Sequence, residues 1–79
     1  MDIIILINSV FNYKFNIFFR IINTNIHLIK NTYLIDKYEE IKWLYLLDDL
    51  TIVKQKSIQF IKELHFYLEK MRSYSLKAS

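Results

Sequence analysis

The clearest pattern of apolar and polar positions lies in the C-terminal third. At 100° per residue, Val53, Phe60, Ile61, Leu64, Tyr67, Leu68 and Met71 share one arc about 120° wide. Lys54, Gln55, Gln59, Lys62, Glu63, Glu69, Lys70 and Arg72 fall outside it. A stripe of this width marks an amphipathic helix with one face on a core, and the spacing predicts it over residues 51–72. Asp49 or Thr51 can supply the N-cap oxygen, and Lys70 and Arg72 suit the negative C-terminal end. Residues 73–79 read as a frayed tail.

Residues 36–50 also read as helix, from their length and their Glu, Lys and Leu content. Asp36 followed by Glu39 resembles a capping box. The wheel has no clean polar face, because Ile41, Trp43, Leu44, Tyr45, Leu46, Leu47 and Leu50 point all round. Such a helix is sandwiched between other elements or turns a face to a partner; the sandwich is the first expectation, the partner face the second.

Residues 1–35 can be read in two ways. Phe11, Tyr13, Phe15 and Ile17 alternate with Asn12, Lys14 and Asn16, a strand signature, and Asn23-Thr24-Asn25 between two apolar runs suits a hairpin turn. On a helical wheel, Asp2, Asn8, Ser9, Asn12, Asn16, Arg20 and Asn23 also share one arc, with Lys14 misplaced. β-branched and aromatic side chains with interior asparagines make a poor helix, so strands are expected over 3–10, 11–22 and 26–33. The predicted fold is therefore α+β, a single domain with a small N-terminal antiparallel β-hairpin or meander followed by two α-helices. The alternative is an all-α three-helix arrangement.

Composition narrows the chemistry. The chain has no glycine, proline or cysteine. Without glycine there is no phosphate-cradling loop or dinucleotide fingerprint, and without cysteine no disulfide, thiolate metal site or thiol nucleophile. A chain of 79 residues buries only about 60–65% of its unfolded surface, yet this one is 53% hydrophobic. Part of that apolar area should stay exposed as a contact patch.

Charge is uneven. The net value is +3, and residues 51–79 hold Lys54, Lys56, Lys62, Lys70, Arg72 and Lys77 against Glu63 and Glu69. A basic half is compatible with nucleic acid or an anionic surface, though it reads first as a solvated helix face. No basic n-region precedes the apolar start, so the chain is not expected to be secreted. Asn8, Asn12, Lys14, Asn16 and Arg20 interrupt the first apolar stretch too early for a membrane span, leaving an in-plane helix as the membrane option.

Candidate sites resolve mostly into structural roles. His65 and Glu69 lie four apart and offer two donors, but a metal site needs a third, and His27 sits in another element. Asp48 and Asp49 read as helix caps, and Glu39 and Glu40 as a first-turn acidic pair. Ser57 and His65 are two turns apart and cannot form a nucleophile–base pair. Tyr67, Tyr74 or Trp43 could stack on bases, but aromatics at helical spacing are usually core.

Phe, Tyr, Met, Ile, Asn and Lys, which AT-rich codons encode, dominate the chain. In composition and length it resembles the small uncharacterised open reading frames of AT-rich, apicoplast-type plastid genomes. That resemblance carries no motif and implies an organellar setting. The expected function is non-enzymatic: a small interaction or structural subunit that docks on a larger assembly, or on its own copies, around Trp43, Tyr45 and Leu46. Residues 36–50 and the outer side of the N-terminal segment are the expected contact surfaces. One alternative is an RNA-binding accessory protein of an organellar ribosome using Lys54, Lys56, Lys62, Lys70 and Arg72. Another is a peripheral membrane protein using residues 1–22. No cofactor, metal or small-molecule substrate is expected.

Overall fold

The computed structural model describes residues 1–78. Four helices follow one another: α1 (Ile3–Phe11), α2 (Phe15–Asn25), α3 (Thr32–Leu46) and α4 (Leu50–Ala78), with a short 3-10 turn at Ile26–Leu28 between α2 and α3. There is no strand among the described residues, so the fold is all-helical and the expected β-hairpin is absent.

The strand reading fails because its alternation crosses a turn. Phe11 and Tyr13 are exposed while Phe15 is buried, so those positions share no sheet face. Burial instead follows helical spacing: Leu6, Ser9 and Val10 in α1, then Phe15, Phe18 and Ile22 in α2. Asp2 caps α1, its Oδ1 accepting from the Ile4 and Ile5 amides at 3.0 and 3.4 Å. Asn23-Thr24-Asn25 closes α2 instead of turning a hairpin. The Thr24 hydroxyl and the Asn25 amide each donate, at 2.8 Å, to the carbonyl four residues back.

Two helix ends need left-handed backbone in a chain that has no glycine. Tyr13 (φ 56°) follows α1, where the Tyr13 and Lys14 amides donate to the Val10 and Ser9 carbonyls. Asp48 (φ 63°) follows α3, where the Asp48 and Asp49 amides donate to the Tyr45 and Leu44 carbonyls. Both are Schellman closures, which normally place glycine at the left-handed position.

α3 starts four residues earlier than expected. Asn31 is its cap, accepting from the Leu34 amide at 3.1 Å, so Asp36 and Glu39 lie inside the helix and form no capping box. The expected sandwich is also corrected. Leu34, Tyr38 and Ile41 face the core, whereas Trp43, Leu46 and Leu47 are exposed. In α4, Val53, Phe60, Ile61 and Leu64 are buried as the stripe predicts, and Asp49 Oδ1 accepts from the Ile52 amide at 3.3 Å. The helix runs on to Ala78, so residues 73–78 continue it, and Lys70 and Arg72 lie short of its end.

α4 is the spine. Its 29 residues span about 43 Å at 1.5 Å per residue, close to the molecule's 45 Å long dimension. α1 and α3 both pack on α4, and α2 packs on α1. The centre is aromatic: Phe18 meets Phe60 edge-on at 6.1 Å, with Tyr38 5.9 Å from Phe60.

Candidate contact surfaces

Trp43, Tyr45 and Leu46 stand where α3 ends. On α3 the core side is set by Leu34, Tyr38 and Ile41, and Trp43 lies half a turn away from it, pointing outward. Trp43 is 63% exposed and Leu46 74%, with Leu47 beside them. Tyr45 differs: its ring packs edge-on against Phe15 at 5.9 Å and lies 5.0 Å from Phe19, so it joins α3 to α2. Trp43, Leu46 and Leu47, spaced at i, i+3 and i+4, form one outward apolar patch, and Asp48 and Asp49 lie just beyond it in the chain. Leu47 belongs to it by the same spacing, a signal the all-round apolar wheel of residues 36–50 obscured.

A second apolar surface lies on the N-terminal segment, as a groove between two helices and not as the outer side of a strand layer. α1 and α4 leave a groove of about 440 Å³ between them. Ile3, Ile4, Ile7 and Phe11 form one wall, Ile58 and Ile61 the other, and Lys62 and His65 stand at the rim. The strand reading of 3–10 hid it, because a strand would send Ile3 and Ile4 to opposite faces.

The basic residues do not converge. Lys56 reaches α3, where it pairs with Glu40 at 2.9 Å and, by donating to it, holds the Glu40 carboxyl below its usual range. Lys54 lies over the Tyr13 and Phe11 rings, at 4.8 and 5.4 Å from their centres, and Lys70 over Phe66 at 4.7 Å. Lys62 is on the groove rim, and Arg72 is exposed further along α4. The acidic residues are similarly engaged: Glu39 and Glu40 sit mid-helix, paired with Lys42 and Lys37, and are not a first-turn pair.

Other candidates take structural roles. Ser57 is fully buried on the core side of α4, two turns from His65. No group of three or more histidine and carboxylate side chains that could hold a metal occurs among the described residues, and His65 lines the groove with apolar neighbours. The Tyr67 hydroxyl accepts from the Lys30 amide at 3.1 Å and so fixes the loop before α3. The Tyr33 hydroxyl donates to Glu63 at 3.1 Å, and that carboxylate pushes the phenol's ionisation up. Tyr74 is exposed.

Residues 1–22 do not form one in-plane helix. They bend at Tyr13 and commit Leu6, Val10, Phe15, Phe18 and Ile22 to the core. No helix among the described residues is long and apolar enough to cross a membrane. Comparison with protein-family models, curated proteins and solved structures finds no match for the chain.

Proposed function

We propose that the protein is a small non-enzymatic interaction subunit that docks on a larger protein assembly through the outward patch of Trp43, Leu46 and Leu47. The reading is carried by one observation: the only tryptophan of the chain is 63% exposed on the face of α3 turned away from the core. Large aromatic side chains with aliphatic neighbours are the usual anchors of protein interfaces, and burying them supplies most of the binding free energy. Asp48 and Asp49 would form part of the polar rim, favouring a partner with a basic edge around an apolar pocket. The scattered lysines give the RNA reading no comparable focus, and the AT-rich composition suits a partner in a plastid-type compartment.

A photoreactive side chain at position 46 tests this reading in the native compartment. A discrete protein adduct that disappears in a folded Trp43→Ala variant supports it. Adducts indifferent to Trp43→Ala, or adducts to RNA, overturn it.

A further inference from the structure

We propose that the groove between α1 and α4 is where two copies of the chain meet, as a weak antiparallel dimer. The site is separate from the Trp43 patch and does not depend on it. Ile3, Ile4, Ile7 and Phe11 follow one side of α1, and Ile58, Ile61 and His65 one side of α4. Ile4 is 69% and Phe11 54% exposed, toward opposite ends of the groove, apolar area that an isolated chain leaves in water. The charge beside the groove changes sign along it. Asp2 and Glu69 flank the Ile3 end. Lys54 stands just past the other end, its ammonium 5.4 Å from the centre of the Phe11 ring. Neither Lys54 nor Glu69 forms an ion pair among the described residues.

A second copy supplies the complement. A two-fold axis across the middle of the groove lays α1 antiparallel on the second copy's α1, and α4 on its α4. Ile4 then meets the second copy's Phe11, and Glu69 meets its Lys54. Both pairings need the same axis. The midpoint of Ile4 and Phe11 falls between Ile7 and Asn8, and that of Lys54 and Glu69 between Ile61 and Lys62; Ile7, Ile61 and Lys62 line the groove together. A parallel arrangement would set the acidic ends against each other. On one helix Lys54 and Glu69 are about 22 Å apart at helical rise, so they reach each other only between copies. That length and two helix diameters give a face of about 400–500 Å² per copy, the size of a small transient interface. Lys62 lies beside the axis and opposes its own counterpart, which weakens the dimer further.

Sedimentation velocity of the full chain at low salt, from about 10 to 500 μM, tests the proposal and should show a reversible monomer–dimer equilibrium. Ile4→Glu, at an exposed position, should abolish the dimer without altering the helical circular dichroism. Lys54→Glu and Glu69→Lys should each weaken it about tenfold, because two like-charge pairs replace two attractive ones. The double reversal should restore it, since the pairs re-form between copies. Lys62→Gln, also exposed, should tighten it by relieving the repulsion at the axis. Trp43→Ala should leave it unchanged. A monomer at every concentration, or a dimer that survives Ile4→Glu, would overturn the proposal. So would loss of the dimer with Trp43→Ala, a weaker dimer with Lys62→Gln, or a double reversal no tighter than the single ones.

Discussion

The Tyr38 hydroxyl donates to the Asn23 side-chain oxygen at 2.6 Å, tying the middle of α3 to the last turn of α2. The Phe19 carbonyl lies 3.1 Å from the same hydroxyl, and the ring is almost fully buried against Phe18 and Phe60. Tyr38→Phe keeps the ring and removes the bond, so it should cost about 1 kcal/mol, a 4–8 °C fall in Tm for a domain of roughly this size. Asn23→Ala should cost a similar amount. The double variant should be less destabilised than their sum by about 0.5–1 kcal/mol, because both remove one interaction. Additive losses in denaturant titrations would mean the bond contributes nothing.

The same tyrosine gives a pH dependence. Burial first, and the Glu39 charge second, raise its ionisation above the ordinary 10.0. The folded chain thus holds this proton more tightly than the unfolded chain. The stability it confers is complete below a pH of about 10 and is lost as pH climbs past that value. Wild type should therefore lose stability more steeply than Tyr38→Phe above pH 10. Parallel curves for the two proteins would refute the assignment.

Ser57 is a local conflict within α4. Its side chain is fully buried, and its hydroxyl has no hydrogen-bond partner among the described residues. A buried hydroxyl without a partner costs about 1 kcal/mol or more, and alanine is also the better helix former. Ser57→Ala should raise the chemical-denaturation midpoint. A loss of stability on this substitution would show that the hydroxyl is bonded.

Asp48 offers a cleaner gain. At φ 63° it occupies a conformation in which an L-residue with a Cβ pays about 1 kcal/mol and glycine pays little. Asp48→Gly should stabilise the protein by about 0.5–1 kcal/mol, less than the full difference because glycine also loosens the unfolded chain. Tyr13→Gly at the equivalent α1 position should gain less, since it also removes the ring that packs on Phe15 and carries Lys54. Thermal melts of the two variants compared with wild type decide the order.

These two closures also explain what the sequence hid. A helix ending in glycine announces its boundary, but tyrosine and aspartate in that role leave no mark, so the strand expected over 11–22 ran straight through the turn at Tyr13. Alternation across Asn12–Lys14 then resembled a strand although the chain reverses there. α4 was legible because Val53, Phe60, Ile61 and Leu64 hold one stripe through several turns, and no local propensity competes with it. Met71 belongs to the stripe yet is exposed, because α4 by then has run past the helices that cover it. The Trp43 patch was partly legible from the apolar excess of residues 36–50. The α1–α4 groove was not, since it exists only once residues 3–11 are helical.

The aromatic centre sets the limit of tolerance. Phe18 is wholly buried, edge-on to Phe60 at 6.1 Å and to Phe19 at 5.3 Å, with the Tyr38 ring at 6.4 Å. Truncation to alanine removes a large ring from the place where α2, α3 and α4 meet, and the helices cannot close the gap without shifting Tyr38 off Asn23. The expected cost is about 3–5 kcal/mol, comparable with the whole stability of a domain this small. Phe18→Ala should therefore lack a cooperative melt. Phe18→Leu keeps most of the volume and should remain folded, with a Tm lower by about 5–15 °C. A cooperative Phe18→Ala melt close to that of wild type would mean that the centre of the fold lies elsewhere.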